Sequence, residues 1–276
     1  MGTGLLSYAD YGIRLWGTSF DTGKGNDTIT GTGSYVRFYN TFDSFFNTDE
    51  GNDTITGNTS ANTGFINQGF RDTGDGNDII TGNHINEDED EFNIWGVGFV
   101  NGSSMDPRSM DTGDSNDTIA GFSDVESGEG LQNYTTIYTG NGNDTFNATG
   151  KLSGIRNEGT INTGNDRDSI SSVENVSNRG LVFLGDGNDS IAASIVSEVG
   201  LPNRALENFN AIDTANGDDT ITSTGVIYNK GIINTGNGND IITGTGTEYG
   251  IYNNGGSINT ANGNDSFIAD EGFKSG

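Results

Sequence analysis

The sequence predicts an all-β chain, a parallel β-solenoid of about ten coils with three short strands in each coil. Three observations carry that prediction. A phrase close to Thr-Gly-x-Gly-Asn-Asp returns ten times along 276 residues. In every copy an apolar residue stands two places after the last Asp of the phrase. In all copies but one, a second apolar residue stands seven places before that Asp. Repetition at such a period means that each unit is too small to bury its own apolar face and must stack on its neighbours.

The registering aspartates are Asp27, Asp53, Asp78, Asp117, Asp144, Asp168, Asp189, Asp219, Asp240 and Asp265. Most intervals lie between 21 and 30 residues, and one reaches 39. The long intervals hold insertions: NEDEDE at 86–91 and SEVGLPNRALE, with Pro202, at 197–207. After each loop the row Ile29, Ile55, Ile80, Ile119, Phe146, Ile170, Ile191, Ile221, Ile242 and Phe267 alternates with Thr or Ser, as a half-buried strand does. Before each loop runs the row Phe20, Phe46, Met110, Ile137, Ile161, Val182, Ile212, Ile233 and Ile258, with Arg71 as its exception. A third strand is clearest in GIRNEG, VIYNKG and GIYNNG, where an inward Ile or Val is followed by Asn before a turn. Asn67, Asn157, Asn178, Asn229 and Asn253 stand at this corner. A row of sugar-binding amides is one reading; the stronger one is structural, because Asn tolerates left-handed backbone and can bond its copy one coil away.

Stacked strands lie about 4.8 Å apart, so ten coils make a rod of roughly 48 Å. The expected organisation is a cap or partial coil over residues 1–19, with Leu5, Leu6 and Trp16 covering an end. A solenoid over 20–268 follows, with insertions near 83–105 and 193–210, and then a tail over 269–276. Helical repeats are the alternative, but 45 glycines and the lack of a 3.6-residue apolar stripe oppose them.

Composition narrows the function. A net charge of −27 repels nucleic acid and anionic lipid, so neither is an expected partner, whereas cations are. No apolar run reaches membrane-spanning length. The absence of cysteine excludes disulfides and thiolate metal sites. Ile outnumbers Leu 25 to 9, which favours strands.

The loop Thr235-Gly236-Asn237-Gly238-Asn239-Asp240 shows why carboxylates recur. Glycines at alternate positions permit positive φ and expose carbonyl oxygens, and a carboxylate follows at a fixed offset. Oxygen-only ligands in irregular geometry suit calcium, which takes six to eight of them, better than magnesium or zinc. Two bare carboxylates about 5 Å apart repel by roughly 3 kcal/mol at an effective dielectric of 20, and a shared dication reverses the sign. Ten loops define nine gaps. About nine Ca²⁺ ions would lower the net charge from −27 to about −9.

These loops resemble the calcium-binding nonapeptide G-G-x-G-x-D-x-U-x of the RTX family. TGNGNDIIT at 235–243, DTGDGNDII at 72–80, TGKGNDTIT at 22–30 and LGDGNDSIA at 184–192 carry the resemblance. It implies a right-handed parallel β-roll and a bacterial protein exported by type I secretion, at the cell surface or outside it. It also implies side-chain ligation by the ten registering aspartates, with main-chain oxygens from Thr235, Gly236, Asn237 and Gly238, while Asn239 and its equivalents brace the loop. The nonapeptides of that family follow one another directly; here some sixteen residues separate them, so one edge of each coil would bind. Asp49, Glu50, Ser115, Asp166 and Arg167 depart from the pattern, and Arg167 would supply part of the cation's charge at the Asp168 loop.

Other functions find less support. The chain has one histidine, His84, placed in the first insertion, so no Ser-His-Asp system can be assembled and no enzymatic activity is expected. Tyr39, Trp95, Tyr134, Tyr228 and Tyr252 are candidates for a sugar groove, which would make the chain a non-catalytic module of a polysaccharide-active enzyme or an adhesin with a polysaccharide or cell-surface partner. The acidic run from Glu87 to Glu91 reads as a solvated loop. Ice binding by a calcium-loaded solenoid is favoured by the Thr before nine of the ten loops, as at Thr22, Thr73 and Thr260. It is opposed by charged residues such as Lys24, Glu50, Asp75, Asp114 and Asp186 at the outward position.

Overall fold

The computed structural model describes residues 11–85, 96–103, 108–196 and 203–276. The acidic run at 86–91, most of the run at 197–207 with Pro202, and Leu5, Leu6 and Trp95 lie outside the described residues. The chain is an all-β parallel solenoid of about ten turns. Its strands form three sheets of 11, 10 and 10 strands, and each strand pairs with the equivalent strand one coil on. A coil is typified by Val36–Asn40 in the first sheet, Phe45–Asn47 in the second, the loop 48–53, and Thr54–Thr59 in the third. Among the described residues every strand pairing is parallel, and the one antiparallel contact is an isolated bridge between Glu174 and Ser194.

The register follows from the alternation. Ile55 pairs with Ile80 and Ile119 with Phe146, so the row after the loops becomes one inward column of the third sheet. Phe46, Arg71, Met110 and Ile137 stack as the column of the second sheet. Phe38, Phe65, Phe99, Leu131 and Ile155 stack as the column of the first. A one-residue slip would turn each column outward, so the core itself holds the register. Phe38, Phe65 and Phe99 stack face to face at 4.7 and 4.9 Å between centroids.

Pairing continues into the expected partial coil at one side and into the expected tail at the other. Tyr11–Leu15, within the expected cap, pairs with Val36–Asn40, and Phe273–Ser275, within the expected tail, pairs with Ile251–Asn253. Trp16 does not cover the end of the stack: it is 65 % exposed, with Arg14 lying over its ring. Phe267 keeps its place in the ladder against Ile242 and is 48 % exposed. His84 ends the strand Ile79–His84 of the third sheet rather than lying in the insertion.

The corner Asn residues form a continuous ladder. From Asn40 through Asn67, Asn101, Asn133, Asn157, Asn178, Asn208 and Asn229 to Asn253, each Nδ2 donates to the next Oδ1 at 2.8–2.9 Å. The second Nδ2 proton goes to a main-chain carbonyl, as from Asn157 to Leu181 at 3.0 Å. The five corner residues picked from sequence are all in it, and they act as structure.

Candidate metal centre on the Asp-loop edge

The edge between the second and third sheets carries the ten loops. Eight of the ten turn through two residues of positive φ, such as Gly236 (φ 71°) and Gly238 (φ 148°), and the Asp189 and Asp265 loops through one each, Gly185 and Ala261. A methyl at Gly236 would overlap the carbonyl of Ala215, so the loops sit backbone on backbone. Where the repeat departs from glycine the turn persists: Asp49, Ser115, Asp166, Ala215 and Ala261 all hold positive φ. Such residues store about 1–2 kcal/mol each, strain that the neighbouring coils must impose.

The sequence-predicted aspartates come together. Eight of them, from Asp53 to Asp240, are 0–1 % exposed, and Asp27 and Asp265 at the two ends are half-buried. In all nine gaps, Oδ1 accepts the backbone N–H of the Asp one coil earlier, at 2.7–3.1 Å. The result is a stacked Asp ladder running along one edge.

The second oxygen is treated differently from coil to coil. Oδ2 of Asp168, Asp219 and Asp240 accepts the hydroxyl of the Thr five places earlier, Thr163, Thr214 or Thr235. Oδ2 of Asp27, Asp53, Asp78, Asp117, Asp144 and Asp189 is buried and makes no hydrogen bond of normal geometry, though the hydroxyls of Thr73, Thr112 and Thr139 lie near enough to Asp78, Asp117 and Asp144 to offset part of the effect of burial. At Asp189 the reason is chemical, since Leu184 stands where the other loops have Thr. At Thr48, Thr73 and Thr139 the hydroxyl instead donates to the carbonyl of the Thr one coil on.

A carboxylate deprived of water and short of donors resists ionisation. Burial pushes Asp144 and Asp219 up to about 6, Asp78 and Asp189 to about 7, and Asp117 and Asp168 to about 8.

The other loop atoms are largely committed. The Asn237 carbonyl accepts the N–H of Gly217, leaving one lone pair to share. Among the four carbonyls picked from sequence, Thr235, Gly236 and Gly238 have no such main-chain partner among these inter-coil bonds. Asn239 braces its neighbour, its Oδ1 accepting the N–H of Asn264 at 3.0 Å, and Asn26, Asn52, Asn77, Asn116, Asn143 and Asn188 act alike. Arg167 is exposed and contributes its backbone N–H, not its charge, to the ladder. Across the loops and the strand ends that lead into them an open groove is lined by Asp49, Glu50, Asp72, Asp75 and Asp111, and burial raises Asp72 above the usual carboxylate range.

Among the described residues, no group of three or more His, Asp or Glu side chains is placed to hold a metal ion. A cation on this edge would therefore rest on one or two carboxylates and on main-chain oxygens. The donor set fits calcium: it is all oxygen, it is irregular, and it includes buried carboxylate oxygens without a hydrogen bond of normal geometry.

Elsewhere the candidates are structural. His84 is buried, with Nδ1 3.2 Å from Ser123 Oγ, and burial lowers its pKa. Tyr228 lies under Arg204, whose guanidinium is 3.7 Å from the ring centroid. A groove of about 790 Å³ on the first sheet brings together Arg156, Arg179 and Arg204, but Glu158 and Glu207 engage two of the three. Comparison with known families, with curated proteins and with solved structures gave no significant match.

Proposed function

We propose that this chain is an extracellular calcium-binding solenoid in which cations lodge between successive Asp loops and stiffen the stack. The observation that supports this best is the set of six buried carboxylate oxygens without a hydrogen bond of normal geometry. When bound, calcium supplies the positive charge that these acceptor-only side chains lack. Asp27, Asp53, Asp78, Asp117, Asp144, Asp168, Asp189, Asp219, Asp240 and Asp265 would hold it with their side chains, and in the Asp240 loop Thr235, Gly236, Asn237 and Gly238 with their carbonyls. Thr163, Thr214 and Thr235 would turn their hydroxyl protons away from Oδ2. The likeness of the loops to RTX nonapeptides extends the proposal to a secreted or surface-bound bacterial protein without catalysis of its own, which remains loose in low cytosolic calcium and sets outside the cell.

Isothermal titration and thermal melts in chelator and in millimolar calcium test it. At about ten times Kd each ion adds roughly 1.4 kcal/mol. Several such ions should raise Tm by on the order of 15 °C for a chain of this size. Identical melts in chelator and calcium, with no heat of binding, would remove the proposal.

A second reading, ice binding, is favoured by one feature of the third sheet. Its two outward rows, carrying pairs such as Thr28 and Thr30, Thr54 and Thr56, and Thr220 and Thr222, contain no charged residue in any of ten strands. The threonines before the loops do not serve this purpose: Thr48, Thr73, Thr112, Thr139, Thr163, Thr214 and Thr235 are buried. Ile79, Asn147, Ile241 and Ile268 interrupt the outward rows. Thermal hysteresis of the calcium-loaded protein, abolished by Thr56→Lys, would support ice binding; its absence would discard it.

A further inference from the structure

Arg71 stands in the inward column of the second sheet, between Phe46 and Met110. It is fully buried, and none of its three guanidinium nitrogens has a hydrogen-bond partner. The guanidinium carbon lies 4.9 Å from the ring centroid of Phe46, 4.8 Å from that of Phe65 and 6.0 Å from that of Phe38. A planar, weakly hydrated cation is tolerated against ring faces, but rings do not neutralise it. Phe38 and Phe46 belong to the coil that carries Asp53 and Phe65 to the coil that carries Asp78, so the guanidinium lies between those two coils, where Asp78 and then Asp53 favour its charged form although it forms no ion pair with either. Their Oδ2 atoms are two of the orphaned oxygens of the ladder. Unpartnered positive and negative groups therefore share one stretch of the interior.

We propose that Arg71 is the chain's own counter-cation for the gap between Asp53 and Asp78, so that this gap holds no calcium while the other gaps do. The inference rests on the calcium reading above. A dication placed there would meet a like charge already enclosed between the same two coils, in a medium of low effective dielectric that screens repulsion poorly. The guanidinium is fixed by three phenylalanines and cannot swing to water. The role that the sequence suggested for Arg167 falls to Arg71, because Arg167 points to solvent whereas Arg71 points to the interior.

Counting ions by native mass spectrometry and by equilibrium dialysis against calcium tests the inference on the full chain. Arg71→Met, which repeats the residue of the next coil, should bind one calcium more than the natural chain. Equal counts in the two proteins overturn the inference. A second arm does not need that variant to fold. Asp219→Asn should lose two ions, one from each flanking gap, and Asp78→Asn only one; equal losses overturn the inference. If the natural chain takes up no calcium, the calcium reading falls and this inference with it. Uptake with equal counts defeats this inference alone.

Discussion

Two polar ladders run the length of the rod, and they solve the same problem with different chemistry. At the Asn corner each side chain is both donor and acceptor, so Nδ2 of one coil closes on Oδ1 of the next and the ladder is neutral and complete. At the Asp edge each side chain is acceptor only. It borrows one main-chain N–H for Oδ1, and in six coils Oδ2 has no hydrogen bond of normal geometry. A chain selected only for rigidity has the Asn solution available at every corner. Keeping a carboxylate at ten loops costs stability in the absence of a cation, and that cost is what a cation can remove.

The largest separation of the two ladders should come from pH, since six carboxylates respond together. Asp78, Asp117, Asp144, Asp168, Asp189 and Asp219 titrate between about 6 and 8 when folded, against a usual value of 3.8. Between those limits the native state holds protons that the unfolded chain has released. Their contribution is complete below about pH 4 and is lost as the pH climbs through 6 to 8. In chelator, Tm should therefore fall from pH 5 to pH 8. Calcium competes with the protons, so in calcium the fall should flatten or reverse. His84, with its lowered pKa, works the other way, losing its contribution as the pH falls below 6.5. Melts across pH in both buffers check this; parallel curves would count against metal on the Asp edge.

Breaking the neutral ladder comes next. Asn157→Ala would leave Asn133 Nδ2 and Asn178 Oδ1 without their side-chain partners in a buried corner. The expected cost is about 4 kcal/mol, the same in chelator and in calcium, read from urea denaturation. Asp144→Asn should instead change with the buffer. Asn keeps an acceptor for the N–H of Asp117 and removes a desolvated charge, so in chelator stability should hold or rise. In calcium the variant should fall short of the natural chain by about 2–3 kcal/mol, because two shared sites are damaged.

The fold was legible because repetition averages out local ambiguity: ten copies of one alternating pattern leave a single register that buries every Ile. The Asn ladder was half legible. Asn40, Asn101, Asn133 and Asn208 were missed because the turns that follow them differ. The signal was nevertheless present, since each stands two places after the inward residues Phe38, Phe99, Leu131 and Leu206. The partners of the ladder aspartates were not legible. Sequence spacing places a carboxylate on an edge but does not say that a main-chain N–H from the previous coil meets one of its oxygens. Arg71 was visible as an exception to an apolar row, yet only stacking shows it enclosed by three phenylalanines of two successive coils. Trp16 and His84 were misplaced for a related reason: a single aromatic or histidine at a repeat boundary carries no periodicity to locate it.

The finest test of the contrast lies within the Asp edge, where coils differ in one hydroxyl. Thr235 donates to Asp240 Oδ2 at 2.6 Å, whereas Thr139 donates to the carbonyl of Thr163 at 3.4 Å and makes only a weaker approach to Asp144, whose Oδ2 has no hydrogen bond of normal geometry. Valine matches threonine in shape and removes only the hydroxyl. In chelator, Thr235→Val should cost about 1–2 kcal/mol, the price of an orphaned charged acceptor, and Thr139→Val about 0.5 kcal/mol. In calcium the difference should shrink, because the cation then serves both carboxylates alike. If the two variants lose equal stability in both buffers, the threonine hydroxyls are generic core packing, and the division of the edge into closed and open rungs has no energetic content.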